Sequence, residues 1–205
     1  MVAAAGTGRR FGSQKLLAEW QGRPVLAHVL ATLVHARAAG VLADALVVHR
    51  EGDDGVAALV AESRCLSQLV PPTPAGLGIS LRLGLRRLMA PTLEPRAEAV
   101  VICLGDQPLL RFEVIVALVD RWRQRPTWAI RPSYREQPDV PGHPLVLDRR
   151  YWSLGDELFG NDGLSAILGR HRVPVETVSV GGANPDIDTQ EDLTRLPESA
   201  DETEL

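Results

Sequence analysis

The chain has 205 residues and a formal net charge of −4, with 45% hydrophobic and 23% charged residues. That length suits one globular domain with a real core, and the negative charge argues against general nucleic-acid binding, so a polyanionic ligand would need a local basic cluster. No apolar run approaches the length of a membrane span, no secretory signal opens the chain, and two cysteines, Cys65 and Cys103, make neither a metal framework nor a disulfide scaffold. A cytoplasmic protein with no membrane contact is therefore expected.

Residues 1–4 are apolar but shorter than a usual buried strand, so the first strand is expected to be clipped, with the true start lying further upstream. A loop over residues 5–15 follows, carrying Gly6, Gly8 and Gly12 with Arg9, Arg10 and Lys15. Residues 16–20 form an apolar connector and Gln21-Gly22 a turn. Pro24 opens a helix at its first position, with Val25, His28, Val29, Leu33 and Ala36 on one face and Gly40 as its stop. A buried strand over 44–49, a helix over 53–62 and a short strand at 68–70 come next. Residues 71–74 are proline-rich and extended, and 75–80 form a glycine-bearing loop that opens a helix reaching residue 89. Residues 91–96 read as a linker. Residues 98–104, apolar without a break from Ala99 to Leu104, are the strongest strand signal, with Cys103 expected as a buried thiol, and they end in Gly105-Asp106-Gln107-Pro108.

Further on, the pattern predicts a helix over 112–123, a strand over 127–131, a polar loop over 132–144 and a short strand over 143–147. Residues 149–158 are helical or irregular. Asn161-Asp162-Gly163 turns into a helix over 164–170, and a strand spans 173–180. A loop over 185–189 leads to a last helix in which Thr189 and Asp192 make a capping-box variant. Residues 1–196 are read as one domain and the acidic residues 197–205 as a frayed tail. Apolar strands alternating with helices mean a three-layer α/β/α domain around a mainly parallel, Rossmann-like sheet. Ligands of such sheets bind beyond the carboxyl ends of the strands, which would join residues 6–15, 105–108 and 185–188 into one site.

Glycines let backbone N–H groups approach a ligand, and with cations nearby they can cradle phosphate; a solvated turn is the bland alternative. Lys15 is the only lysine, the other 21 basic residues being arginine, and the two side chains are not interchangeable. Asp106, Asp186 and Asp188 supply carboxylates suited to Mg²⁺ beside phosphate oxygens, although each also fits an ordinary turn. Neither Gly-x-x-x-x-Gly-Lys-Ser/Thr nor Gly-x-Gly-x-x-Gly is present.

The order Ala-Ala-Gly-x-Gly-x-Arg-Phe-Gly-x-x-Lys from Ala4 to Lys15, then Gly22-Arg23-Pro24-Val25-Leu26 with His28, resembles the MobA-like nucleotidyltransferases. The resemblance continues through Gly78-Ile79-Ser80-Leu81-Arg82, Gly105-Asp106-Gln107-Pro108, Gly142-His143-Pro144 and Asp186-Ile187-Asp188-Thr189. It is closest to the molybdenum cofactor cytidylyltransferase branch. It implies a nucleotide-diphospho-sugar transferase type of fold and Mg²⁺-dependent transfer of CMP from CTP to the phosphate of a molybdopterin acceptor. A molybdoenzyme or its chaperone would be a partner. By resemblance Ala5, Gly6, Gly8, Arg10 and Lys15 would hold the triphosphate, with Arg10, Lys15 and Asp106 catalytic. Ser80 would meet the base or ribose, and Asp106 with Asp188, or else Asp186, would bind the metal. His143 and Asp186 would face the second substrate. Gly160-Asn161-Asp162-Gly163 and Ser165, where an arginine is frequent, depart from the pattern on the acceptor side. GTP or another phosphorylated acceptor, a pyridine-dye oxidoreductase and a cofactor-binding chaperone are the alternatives.

Overall fold

The computed structural model describes residues 1–6, 8, 10–73, 76–91, 97–126 and 128–197. The expected linker at 92–96, the first residue of the strand predicted from Thr127, and the tail from residue 198 onward lie outside them, as do Thr7, Arg9, Pro74 and Ala75.

In chain order the elements are β1 (Val2–Ala4), a 3-10 turn (Lys15–Leu17), β2 (Glu19–Trp20), β3 (Arg23–Pro24), α1 (Val25–Ala38), β4 (Leu46–Arg50), α2 (Asp54–Glu62), β5 (Leu66–Val70) and α3 (Leu77–Met89). They continue with β6 (Ala99–Leu104), α4 (Phe112–Gln124), β7 (Ala129–Tyr134), β8 (Leu145–Asp148), a 3-10 segment (Arg149–Glu157), α5 (Leu164–Arg170), β9 (Val175–Val180) and α6 (Gln190–Thr194). Seven strands form one sheet in the order β5-β4-β1-β6-β8-β7-β9, while β2 and β3 make a hairpin around Gln21-Gly22. Strand β8 runs antiparallel to both neighbours, and every other pairing in the large sheet is parallel.

Side-chain alternation explains why these strands are apolar throughout. Val2, Val47, Val101, Cys103, Ile130 and Val146 face one layer, with α1, α2 and α4. Leu46, Val48, Val100, Ile102, Leu145 and Leu147 face the other, with α3, α5 and the 3-10 segment. A strand covered on both faces has no solvent side to keep polar. The sequence-based layering therefore stands. Cys103 is a buried free thiol, and burial pushes it up to about 11.

Several local expectations need correction. Pro24 precedes α1 rather than joining it, and pairs with Glu19. Residues 132–134 belong to β7 rather than to a loop. Proline is tolerated there for a geometric reason. Trp128 accepts from the Asp148 N–H on the β8 side and Arg135 donates to Val180 on the β9 side. Alternation then turns the Pro132 nitrogen toward β8, whose pairing with β7 ends at Ile130, so no ladder N–H is lost. Strand β8 starts at Leu145, not His143. Helix α3 already includes Gly78, Ile79 and Ser80. Glycine disfavours helix interiors, but a Cβ at Gly78 would lie 2.8 Å from the Phe159 carbonyl oxygen, so close approach sets that residue.

Trp152 in the 3-10 segment is fully buried and its indole N–H donates to the Leu147 carbonyl at 3.0 Å. Trp152→Ala is expected to lower stability by about 3–5 kcal/mol, read as a reduced urea midpoint at unchanged slope; a loss under about 1 kcal/mol would contradict this packing.

Candidate functional site

One cavity of about 610 Å³ opens at the carboxyl ends of the parallel strands, lined by residues from β1, the glycine loop, α3, β6, the 160s turn and the loop before α6. Ala5, Gly6, Gly8, Arg10, Lys15, Ser80, Asp106, Asp186 and Asp188 all line it. Ten of the sequence-named positions thus reduce to one exception, His143, which lines a smaller neighbouring cavity.

Local forces bring these groups together. Gly8 has φ +57° and its carbonyl accepts from the N–H groups of Phe11 and Gly12 at 2.9 and 3.2 Å. A Cβ at Gly8 would sit 2.5 Å from the Ser13 carbonyl oxygen, so no side chain fits this left-handed turn. Phe11, buried, then packs with Trp20, Val25, Ile187 and Leu196 in a small apolar cluster. Ile187 is fully buried, and its N–H donates to the Asp106 carbonyl at 3.0 Å. The glycine loop, the end of β6 and the loop before α6 are thereby tied by one contact set.

Lys15 is the electrostatic centre. Its Nζ lies 2.5 Å from Asp106 Oδ2 and 3.1 Å from Asp188 Oδ1, and Arg10 adds a 2.8 Å ion pair to Asp188. Burial opposes the charged ammonium, but the Asp106 and Asp188 carboxylates outweigh it and hold Lys15 above its ordinary value. Asp186 is an exposed residue whose carboxyl is partly desolvated where it faces the cavity; that desolvation, and then the Asp106 charge, raises it, and its Oδ1 accepts from Gln107 Nε2 at 2.7 Å. Capping of α6 follows the sequence: Thr189 and Asp192 exchange both capping-box bonds, fixing the residue after Asp188.

Ser80 sits in the first turn of α3, not in a preceding loop, and its hydroxyl donates to the Gly76 carbonyl at 3.1 Å. Gly76 has φ +149°, and a Cβ there would meet the Gly160 carbonyl oxygen at 2.0 Å. Helix α3 consequently docks on the 159–162 turn, bringing Asn161 to the cavity.

Residues missed at the sequence level form a second, buried network. Gln107 Nε2 donates to the Asn184 carbonyl at 3.0 Å, and Asn184 Nδ2 returns bonds to Gln107 Oε1 at 3.2 Å and to the His143 carbonyl at 3.3 Å. Tyr134 also donates to the His143 carbonyl, at 2.7 Å. Burial, then the Arg131 charge, pushes the His143 imidazole down to about 4, so it is neutral at pH 7. Gln107 stood inside a quoted motif, but nothing in the sequence marks Asn184 as its partner.

Among the described residues no cluster of three or more His, Cys, Asp or Glu could hold a metal ion unaided, and no helix is long and apolar enough to cross a membrane.

In a three-layer α/β domain a charged cavity at the carboxyl ends of the parallel strands is where such sheets bind their ligands. Residues 1–175 match the MobA-like NTP transferase domain, and the chain belongs to that family. Rv0371c from Mycobacterium tuberculosis H37Rv is similar throughout, at 29% identity and TM-score 0.79 over 97% of this chain and 96% of its own. A structure of that protein in complex with manganese aligns over the same shares at 28% identity and TM-score 0.75. A CMP:2-keto-3-deoxy-manno-octonic acid synthetase complexed with CTP shares the fold, at 15% identity and TM-score 0.74 over 95% of this chain and 94% of its own. The bifunctional protein GlmU of Xanthomonas oryzae is 30% identical over 121 residues, 58% of this chain; the chain spans about a quarter of that relative's length (24%). The fold is thus that of the nucleotide-diphospho-sugar transferases.

Removing Lys15 leaves half-buried carboxylates uncompensated. Lys15→Met is expected to cost about 3–5 kcal/mol at neutral pH, and adding Asp106→Asn to return part of that loss. Strictly additive unfolding energies in the double-mutant cycle would show that the two groups are not coupled.

Proposed function

We propose that the domain spanning residues 1–196 moves CMP from CTP to the phosphate of a molybdopterin acceptor and releases pyrophosphate. The observation that carries this reading is the convergence of Lys15, Asp106 and Asp188, from three distant segments, on the lining of one cavity beside the glycine loop. Family membership supports the transferase class, and the CTP-complexed synthetase of the same fold favours CTP. The cytoplasm, where nucleoside triphosphates are abundant, is the matching compartment.

In this reading an oxygen of the acceptor phosphate forms a bond to the α-phosphorus of CTP while the bond from that phosphorus to the bridging oxygen breaks. Pyrophosphate leaves with that electron pair. The acceptor phosphate is already anionic, so no side-chain nucleophile or general base is needed, and catalysis is positioning plus charge stabilisation. Ala5, Gly6 and Gly8 offer backbone to the triphosphate, and Arg10 and Lys15 offer cations, Lys15 toward the α-phosphate. Ser80, on the α3 side of the cavity, meets the base or ribose. Asp186 and His143 belong to the acceptor side, and His143, neutral at pH 7, serves as a hydrogen-bonding group rather than a cation.

The residues fit a divalent cation: Asp106 Oδ2 and Asp188 Oδ1 already converge on one positive centre, the Lys15 ammonium. Two carboxylate oxygens completed by phosphate and water suit Mg²⁺, and manganese in the Rv0371c complex supports a divalent ion. Bound by Asp106 and Asp188, it would supply Lewis-acid stabilisation of charge on the phosphate oxygens.

Protein incubated with CTP, Mg²⁺ and molybdopterin is expected to release pyrophosphate, and CTP with Mg²⁺ to raise the melting temperature more than GTP, ATP or UTP. Asp106→Asn should lower turnover by about 10²–10³-fold or more while retaining a cooperative unfolding transition. Folded protein that releases no pyrophosphate with any nucleotide and acceptor would sink the transferase reading. Pyrophosphate formed with a different acceptor or nucleotide would keep the chemistry and replace the substrate.

A further inference from the structure

The smaller cavity, about 50 Å³, shares two walls with the large one: Leu77 of α3 and Leu104 of β6 line both. Its polar lining includes Arg131, His143 and Ser165 amid leucine and isoleucine side chains. Arg131 projects from β7 and is half-buried. Its Nη2 donates to Ser165 Oγ at 3.1 Å, and its Nε is buried with no hydrogen-bond partner. Among the described residues no carboxylate pairs with it. A buried N–H left without an acceptor is costly, and the planar guanidinium fork matches phosphate oxygens two at a time. The space is several times the ~10–15 Å³ that one water needs. It admits a single tetrahedral anion but no nucleotide. Apolar walls strengthen any ion pair formed there.

We propose that Arg131, with Ser165 beside it and His143 in the same lining, binds the phosphate monoester head of the second substrate, at the wall this cavity shares with the nucleotide cavity. This rests on the transferase reading above and adds to it a specificity residue for the acceptor phosphate. Ser165 is exposed and its Oγ lies against the guanidinium, so an arginine introduced at 165 can reach the same space.

The test is calorimetric titration of inorganic phosphate into full-length protein saturated with α,β-methylene-CTP and Mg²⁺, which occupy the triphosphate site and cannot react. Wild-type protein is expected to bind phosphate. Arg131→Met, which keeps the aliphatic stem, should weaken that binding about 10–100-fold and leave affinity for the nucleotide analogue unchanged. Arg131→Met combined with Ser165→Arg should recover most of the loss, which a merely structural arginine would not allow. In turnover assays Arg131→Met should raise the acceptor KM and leave the CTP KM unchanged. The proposal is overturned by wild-type protein that binds no phosphate, by a variant that binds it as tightly as wild type, or by a variant that loses analogue binding as well. Failure of the transferase reading looks different: phosphate binding that depends on Arg131, with no pyrophosphate released from CTP and any acceptor.

Discussion

Lys15 Nζ touches carboxylates that are 91 and 173 positions away in the chain, and the site exists only while those three segments stay together. Their closeness is electrostatically unfavourable without the lysine, because Asp106, Asp186 and Asp188 would meet in a half-buried space as like charges. A single ammonium resolves this with three donors on a compact head. A guanidinium, planar and forked, is built for one carboxylate face rather than for two carboxylates arriving from different directions. That gives a physical reason for the one lysine in a chain otherwise furnished with arginine. Apolar contacts underwrite the arrangement: Phe11 and Ile187, both buried in one cluster, fix the two loops that carry Arg10, Lys15, Asp186 and Asp188.

The sheet contributes position rather than chemistry. Parallel strands deliver their carboxyl ends, and so Gly6 after β1 and Asp106 after β6, to one edge. Strand β8, inserted antiparallel between β6 and β7, delivers its amino end to that same edge. Leu145 pairs with Ile102, so His143 arrives beside the end of β6 although it precedes its own strand. This one reversal places residues of the small cavity next to those of the large one, and the Gln107–Asn184 amide pair then locks the His143 carbonyl to both.

The layers, most strands and the large cavity were legible in the sequence, because continuous apolar runs and glycine-rich strand ends are local signals. Asp106 and Lys15 were legible for the same reason. What escaped depends on distant partners. Pro132 reads as a strand breaker until the pairing of β7 with β8 is seen to end at Ile130. Gly78 reads as loop until the Phe159 carbonyl is found against it, and the loop reading carries Ser80 with it, although Ser80 lies in the first turn of α3. Arg131 is one arginine among 21; what sets it apart is a partnerless buried Nε on the lining of a cavity, and sequence displays neither. His143 stands out in the sequence as a polar residue near the site, but the cavity it lines is defined by side chains from α3, β6, β7, β8 and α5.

Charge balance sets a further condition on ligand binding. Among the described lining residues, Asp106, Asp186 and Asp188 oppose Arg10 and Lys15, three carboxylates against two cations. Both cations are already committed, Lys15 to Asp106 and Asp188 and Arg10 to Asp188. A triphosphate entering this cavity therefore meets an acidic floor, and its oxygens compete with aspartates for the same two positive groups. Hydrogen bonds from backbone N–H groups offset only part of that repulsion, since each is a dipole rather than a charge. Binding becomes favourable when additional positive charge arrives with the nucleotide, so the proposed metal dependence is as much a requirement of binding as of chemistry.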